Sequence, residues 1–179
     1  MTKSLLRKRK IRREKDFLNL AQKSPMRKLI VLFVLVTLFV ACDNSRVFEK
    51  NYEIKNQTWE TGHRLKFEVD ITDTISNYNF LLNLRNNEAY PYSNFYFFFH
   101  TYFPNGKIAK DTIQCVLADP TGKWFGSQAG DIIDNQILFK YKTQFPMAGK
   151  YYFEVEQAMR EKKLPSILDV GLRIEYFTQ

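Results

Sequence analysis

The sequence predicts an all-β fold: a single antiparallel β-sandwich of about eight strands, jelly-roll or immunoglobulin-like, with one short helical crossover and a lipoprotein signal peptide before it. Apolar and polar residues alternate in several short segments, which is the period of a strand. Clusters of proline, glycine, asparagine and aspartate separate these segments at fairly even spacing. Aromatic residues, which are favoured in strands, make up 16% of the chain. Together these three observations indicate the fold class.

The clearest strand lies at residues 65–71, where Leu65, Phe67, Val69 and Ile71 share one face and charged residues occupy the other. This alternation is typical of a half-buried antiparallel strand. A weaker first strand is predicted around residues 51–59. The other predicted strands, some less strictly alternating, lie at residues 80–85, 94–103, 112–117, 136–142, 150–156 and 170–176.

Between the strands, turn-forming residues occur at positions 104–106, 119–122 and 146–149. Residues 157–163 have a helix-forming composition, but Leu164 and Pro165 limit a helix there to a turn or two. We therefore predict a short helical crossover between the last two strands. Gly171, inside the final strand, indicates a bulge or a close approach of another part of the chain.

Residues 26–41 have the pattern of a bacterial lipoprotein signal peptide. Arg27 and Lys28 precede thirteen residues of which only Thr37 is not apolar. A membrane-spanning helix needs about 20 such residues, so the run is the length of a signal sequence. The small Ala41 stands before Cys42, so we predict cleavage after Ala41 and lipid attachment at Cys42. Two or three acyl chains on that cysteine would anchor the protein stably to a membrane.

The domain organisation follows from this signal. Residues 1–25 form a basic leader, and because the signal is complete at Met26, we expect translation to begin there. Residues 26–41 are the signal peptide, residues 42–50 a lipidated tether, and residues 51–179 the β-sandwich domain. The first 41 residues hold 11 of the 27 lysines and arginines, which leaves 16 basic against 17 acidic residues. The remaining body is nearly neutral, so no nucleic-acid partner is expected.

The chemistry-bearing residues predict no catalytic or metal site. His63 and His100 do not stand at metal-ligand spacing with another histidine, cysteine or carboxylate. With Cys42 acylated, Cys115 is the only remaining thiol, and it lies in a predicted strand, where a free cysteine is most often a small buried residue. We therefore expect no enzyme, no metal, no cofactor and no small-molecule substrate.

Aromatic residues are concentrated in two places. Nine of them fall within residues 90–103, and most of this run is predicted to be core. Trp124 lies in a long polar connection at residues 119–131, where an exposed indole is unfavourable. Trp124 therefore either covers the core from outside or meets a partner, and we favour the first.

These residues taken together resemble the family of GldH gliding motility lipoproteins of the Bacteroidetes, over nearly the whole chain after Cys42. The resemblance rests on short motifs, at residues 48–51, 59, 78–79, 84–86, 90–92, 104–106, 111–112, 117–119, 122–124, 130–131, 157–160 and 169–175.

The resemblance implies a cell-envelope lipoprotein that is needed for gliding and is linked to type IX secretion. It implies a membrane partner through the N-terminal lipid and protein partners in the gliding machinery, with no reaction and no ligand. Residues 43–46 lack the consecutive acidic residues that we associate with export to the surface of these bacteria. We therefore expect an anchor that faces the periplasm, and of the two membranes we favour the outer one.

Six polar or aromatic residues at strand ends and in loops are candidates for a partner surface. For Arg160, an ion pair with Asp169 is an alternative that we favour over partner contact. Two functions remain open: a non-catalytic component of the gliding machinery that acts through protein contacts, or an envelope glycan-binding module that uses Trp124 and the tyrosines for stacking. The six candidates are Tyr90, Tyr92, Asp119, Trp124, Gln157 and Arg160.

Overall fold

The computed structural model describes residues 45–178. The predicted leader, the signal peptide, Ala41 and Cys42 lie outside these residues. Within them no helix is long and apolar enough to cross a membrane. The strands are β1 (Arg46–Glu53), β2 (Thr58–Glu60), β3 (Leu65–Ile71), β4 (Asn77–Asn87), β5 (Asn94–Tyr102), β6 (Ile108–Val116), β7 (Ser127–Ala129), β8 (Ile132–Gln144), β9 (Gly149–Gln157), β10 (Lys163–Pro165) and β11 (Ile167–Tyr176).

The strands form two main antiparallel sheets and one small one. The five-stranded sheet has the order β1-β11-β4-β8-β7, and the four-stranded sheet has the order β3-β9-β5-β6. The short strands β2 and β10 pair with each other. The predicted antiparallel all-β class is therefore confirmed.

Side chains from both main sheets meet in one aromatic core. Phe80 of β4 lies 6.1 Å from Phe99 of β5 and 5.7 Å from Phe153 of β9, measured between ring centroids. Phe139 of β8 lies 5.0 Å from Phe99. These edge-to-face contacts join the sheets face to face, as in a β-sandwich.

The predicted aromatic strand is β5, and it divides its rings between two faces. Phe95, Phe97 and Phe99 are fully buried between the sheets. Tyr96 and Phe98 lie on the opposite face and are half-buried. The core prediction is therefore confirmed for the inward-facing half of this strand, because successive side chains of a strand point to opposite faces.

The predicted helical crossover at residues 157–163 is wrong. Gln157 ends β9, and the chain continues as an irregular loop to β10. The Gln157 side chain accepts a hydrogen bond from the Met159 N–H (2.8 Å) and donates one to the Glu161 carbonyl (2.9 Å). These bonds occupy backbone groups that a helix would use, so composition alone does not decide the structure here.

The first part of the domain also differs from the prediction. In place of one strand at residues 51–59, β1 begins at Arg46 and pairs along β11, so residues 46–50 belong to the sheet. The chain then makes a 3₁₀ turn at Lys55–Gln57 before β2. Asn56 and Gln57 have φ angles of 55° and 51°, a left-handed conformation that interrupts a strand.

Candidate functional site

The six residues predicted as a partner surface are mostly found at one end of the domain, where the loops after β4, β6 and β9 meet. Tyr90 lies 5.7 Å from Tyr92 and 6.4 Å from Trp124 between ring centroids. The Tyr92 hydroxyl donates a hydrogen bond to Glu161 Oε1 at 3.0 Å. We call this region, formed by residues 88–93, 117–126 and 158–162, the loop end.

Tyr90 and Trp124 are used inside the domain. Tyr90 is 3% exposed, and its hydroxyl donates to the Asn94 carbonyl at 3.0 Å. Its burial raises the pKa of the Tyr90 phenol. Trp124 is partly buried and packs against the hydrophobic core. The Trp124 ring therefore covers the core from outside, as favoured from the sequence.

Asp119 organises the loop that carries Trp124. Its Oδ1 accepts hydrogen bonds from the Thr121 hydroxyl (2.6 Å) and from the N–H groups of Thr121 (2.8 Å) and Lys123 (3.0 Å). The bond from the Thr121 hydroxyl is the largest of the effects that lower the pKa of this carboxyl. Asp119 thus fixes a tight turn that directs the chain back to Trp124.

Gln157 and Arg160 have opposite environments. Gln157 is 1% exposed, and its amide also donates to the Thr61 hydroxyl at 2.8 Å, so its side chain has almost no surface to offer a partner. Arg160 is exposed. The favoured pairing of Arg160 with Asp169 is wrong, because the Asp169 carboxylate pairs with Arg85 at 3.2 Å, on the five-stranded sheet.

A cleft of about 500 Å³ opens beside the loop end. Of the six candidates, Tyr92 and Arg160 line it, together with Met159 and Glu161 from the same loop and Tyr96 from the outer face of β5. The backbone N–H of Tyr96 lies 3.2 Å from the Met159 sulfur, so this loop is held against the strand. The cleft combines aromatic, thioether and charged groups, and among them tyrosine, methionine and arginine are residue types enriched at protein interfaces.

The exposed aromatic residue of this end is Phe125, which the sequence analysis did not single out. Its side chain is 65% exposed, although the neighbouring Trp124 packs on the core. The Phe125 N–H donates to the Leu117 carbonyl (2.9 Å), and the Leu117 N–H donates to the Ser93 carbonyl (2.8 Å). These bonds join Phe125 to the segment that precedes β5. The available signal was the Trp-Phe pair itself, since adjacent residues of an extended chain point to opposite sides.

A second polar region lies on the outer face of the four-stranded sheet. Arg64 donates to Glu156 at 2.8 Å and to Glu154 at 3.3 Å, and the Tyr102 hydroxyl donates to Glu154 at 3.1 Å. His100 is 7% exposed, and its Nε2 lies 3.7 Å from the Glu156 carboxylate without a hydrogen bond. Over residues 45–178 no three histidine, cysteine or carboxylate groups are placed to hold a metal ion.

Cys115 lies on β6 and is buried with 3% exposure. Burial raises the pKa of its thiol to about 12. The predicted interpretation of Cys115 as a small buried residue is confirmed.

Comparison with known proteins gives consistent results. A family described as GldH lipoprotein matches residues 46–174. The chain is 35% identical over 153 residues to the "Gliding motility lipoprotein GldH homolog" of Christiangramia forsetii, an alignment that covers 82% of this chain and 93% of the relative. It is 32% identical over 152 residues to "Gliding motility lipoprotein GldH" of Flavobacterium johnsoniae, with 81% and 94% coverage.

A cellulose-specific carbohydrate-binding module of type CBM28 superposes on the chain with a TM-score of 0.40. The two sequences are 7% identical over 76% of this chain and 77% of the module. A likeness this low supports no inference about function.

Proposed function

We propose, on the premise that this chain belongs to the GldH lipoprotein family, that it is a non-catalytic, lipid-anchored component of the gliding machinery that acts through protein contacts. The lipid is carried by Cys42 after cleavage behind Ala41. The protein partners are other components of that machinery, which is linked to type IX secretion. The anchor lies in the outer membrane and faces the periplasm.

The observation that carries the proposal of protein contacts is the exposed Phe125 at the loop end, where other loop residues line a cleft. A large aromatic side chain that is 65% exposed costs free energy in water, and contact with a partner recovers it. Tyr92, Met159 and Arg160 surround the neighbouring cleft. Tyrosine, methionine, phenylalanine and arginine are the residue types enriched at protein interfaces.

The glycan-binding alternative has less support at the residues first considered. Tyr90 is buried and Trp124 is partly buried against the core, so the rings first considered offer little surface for stacking on a sugar. Phe125 and Tyr92 at the same end could still stack on a sugar. A test of the proposal therefore includes a measurement of binding to glycan.

The deciding experiment is colony spreading of a strain of the source bacterium that lacks the gene. It is complemented with the chain starting at Met26, with the same chain carrying Cys42→Ser, or with the full chain. We expect rescue by the first and third and not by the second, because a lipid-free chain would leave the membrane. Immunoblots of membrane and soluble fractions control for expression and anchoring.

Normal spreading of the deletion strain would refute the role in gliding. Rescue by the Cys42→Ser chain would refute the dependence on the lipid. A sedimentation assay of the purified protein with peptidoglycan distinguishes the alternative, since binding that is lost in Phe125→Ala would favour the glycan-binding module.

A further inference from the structure

An apolar cavity of about 300 Å³ enters the core between the two main sheets, at a place distinct from the loop end. Native cores are packed to the density of organic crystals, so an accessible cavity walled by rings is unusual. The rings are Phe80, Phe99, Phe103, Phe145, Tyr151 and Phe153.

The cavity reaches the gap where the two sheets come side by side without pairing. Ala109 of β6 and Thr143 of β8 both line it. Among the described strands, β8 pairs on its outer side only with β7, and only as far as Asp134. Both strands are therefore free edges beside the cavity.

Strand β6 is a long, regular edge. Over its nine residues it pairs with β5 alone among the described strands, and its register runs without a shift from Ile108 to Val116. It contains no proline. Natural proteins usually blunt such an edge with a proline, a bulge or a charged side chain, because its free N–H and C=O groups are a template for another strand.

The two charged residues in the middle of β6 are turned away from its free edge. The Lys110 ammonium lies 3.6 Å from the ring centroid of Phe98, over the neighbouring strand β5. The Asp111 carboxylate accepts a hydrogen bond from Lys140 of β8 at 2.6 Å, across the gap between the sheets. Neither side chain therefore lies over the unpaired N–H and C=O groups of the β6 edge.

We propose that β6 accepts an extended segment of a partner protein as an additional strand, and that an apolar side chain of this segment fills the cavity. The side chains of such a strand alternate between the two faces of the sheet. Those that face inward enter the space between β6 and β8 next to Ala109, where they adjoin the Asp111–Lys140 ion pair that spans the same gap. Those that face outward lie beside Ile108, Thr112 and Gln114, which are exposed.

A peptide fits this place better than other occupants. An acyl chain could fill the cavity, but it would not bind the backbone N–H and C=O groups of the β6 edge, which only another strand can pair with. A second copy of this chain, paired antiparallel through its own β6 in the register centred on Asp111, would place two carboxylates opposite each other, where like charges repel. The inference rests on the proposed function in that it assumes protein contacts, and it adds a contact at the β6 edge to the one proposed at the loop end.

The test is site-specific photo-cross-linking of the full chain in the envelope of the source bacterium. A benzophenone amino acid replaces Ile108, Thr112 or Gln114 in turn. We expect all three to attach to one segment of one partner. The step of two residues from position 112 to position 114 should move the attachment by two residues along that segment, and the step of four from 108 to 112 should move it by four. Mass spectrometry of the cross-linked peptides measures this register.

Variants that fill the cavity provide the matched comparison. Ala109→Phe fills it from β6 and Thr143→Phe fills it from β8, and each is expected to abolish the cross-links. Val116→Phe enlarges an exposed side chain of the same strand outside the cavity and should retain them. Urea denaturation shows which filling variant is folded, and the folded one is used for the comparison.

Three results would overturn the proposal: scattered attachment sites with no constant register, adducts to lipid or to a second copy of this chain, or no adduct from a folded and anchored chain. The cross-linking assay does not depend on motility. A strain that glides normally without the gene would refute the proposed function and leave this register measurement valid.

Discussion

The side chain of Asn51 on β1 lies directly over Gly171 on β11, its register partner in the five-stranded sheet. A methyl group built on Gly171 would lie 1.7 Å from the Asn51 Oδ1 atom and 2.7 Å from the carbonyl oxygen of Lys50. The predicted close approach at Gly171 is therefore confirmed. The Asn51 amide oxygen in turn accepts a hydrogen bond from Asn83 at 3.0 Å, which holds it in place over the glycine.

Gly171→Ala should lower the free energy of unfolding by about 2 kcal/mol, because both the Asn51 side chain and the backbone of β1 must move. Urea denaturation measures the change. The double variant Asn51→Ala, Gly171→Ala should recover part of the loss, since the nearer obstacle is removed. Equal stability of Gly171→Ala and the wild type would contradict the observed contact.

Gln157→Ala should lower the free energy of unfolding by about 2 kcal/mol, because it removes the hydrogen bonds of a buried side chain to Thr61, Met159 and Glu161 and leaves a cavity in its place. Amide hydrogen exchange should accelerate in residues 158–162. The matched control is Gln114→Ala, an exposed glutamine on β6, which should change stability by less than about 0.5 kcal/mol. A Gln157→Ala variant with wild-type exchange would show that the loop is held by other contacts.

Trp124→Ala and Phe125→Ala should separate stability from partner binding. Trp124→Ala removes a ring that covers the core and should cost about 2 kcal/mol or more. Phe125→Ala removes an exposed ring and should stay within about 0.5 kcal/mol of the wild type, yet reduce colony spreading. Thermal denaturation and complementation of the deletion strain measure the two effects. Full spreading with Phe125→Ala would exclude this ring from the partner surface.

Cys115 should resist alkylation in the folded protein. Because burial raises the pKa of its thiol to about 12, only about one molecule in ten thousand carries the thiolate at pH 8. Iodoacetamide at pH 8 should therefore leave Cys115 unmodified in the native chain and modify it fully in 6 M guanidinium chloride. Mass spectrometry of the peptide that contains Cys115 distinguishes it from Cys42. Rapid native modification would mean that the strand β6 opens readily.

His100 should make the protein less stable as the pH falls from about 7 to 5. Burial, followed by the charges of Arg64 and Lys110, lowers the pKa of His100, while Glu154 and Glu156 act in the opposite direction. Below pH 6.5 the unfolded chain binds a proton at this histidine more readily than the folded chain, so the free energy of unfolding decreases.

His100→Gln should remove this part of the pH dependence. Urea denaturation at pH 8, 7, 6 and 5 measures the slope of stability in both proteins. His63→Gln, which removes an exposed histidine from the same chain, is the comparison variant. If the wild type and His100→Gln lose stability equally between pH 7 and 5, the His100 side chain is not responsible.

Strands could be predicted where only one face of the strand is buried, because the apolar and polar residues then alternate along the sequence. In β3, every second residue faces the core, so alternation in the sequence is sufficient to locate the strand. The loop after β9 could not be predicted in this way. Its conformation depends on a hydrogen bond from Gln157 to Thr61, which lies 96 residues away in the chain.

The sequence predicted where the candidate site lies better than it predicted which residues are exposed there. Most of the six candidates lie at the loop end, because the polar and aromatic groups of this end are carried by loops. Burial then divides them in a way that composition does not reveal: Tyr90 and Gln157 are internal, while Tyr92 and Arg160 line a cleft. The choice between Trp124 and Phe125 depends on which ring turns towards the core, and that is a property of the folded turn at Asp119.

Strand β1 begins at Arg46, only four residues after the cysteine proposed to carry the lipid. A fully extended chain spans at most about 3.6 Å per residue, so the four-residue segment between Cys42 and the start of β1 is at most about 14 Å long. With the lipid on Cys42 and the domain in the periplasm, as proposed, the domain would not reach across the depth of the periplasm. It would sample only a thin layer next to the bilayer, and a partner must be present in that layer or be delivered to it.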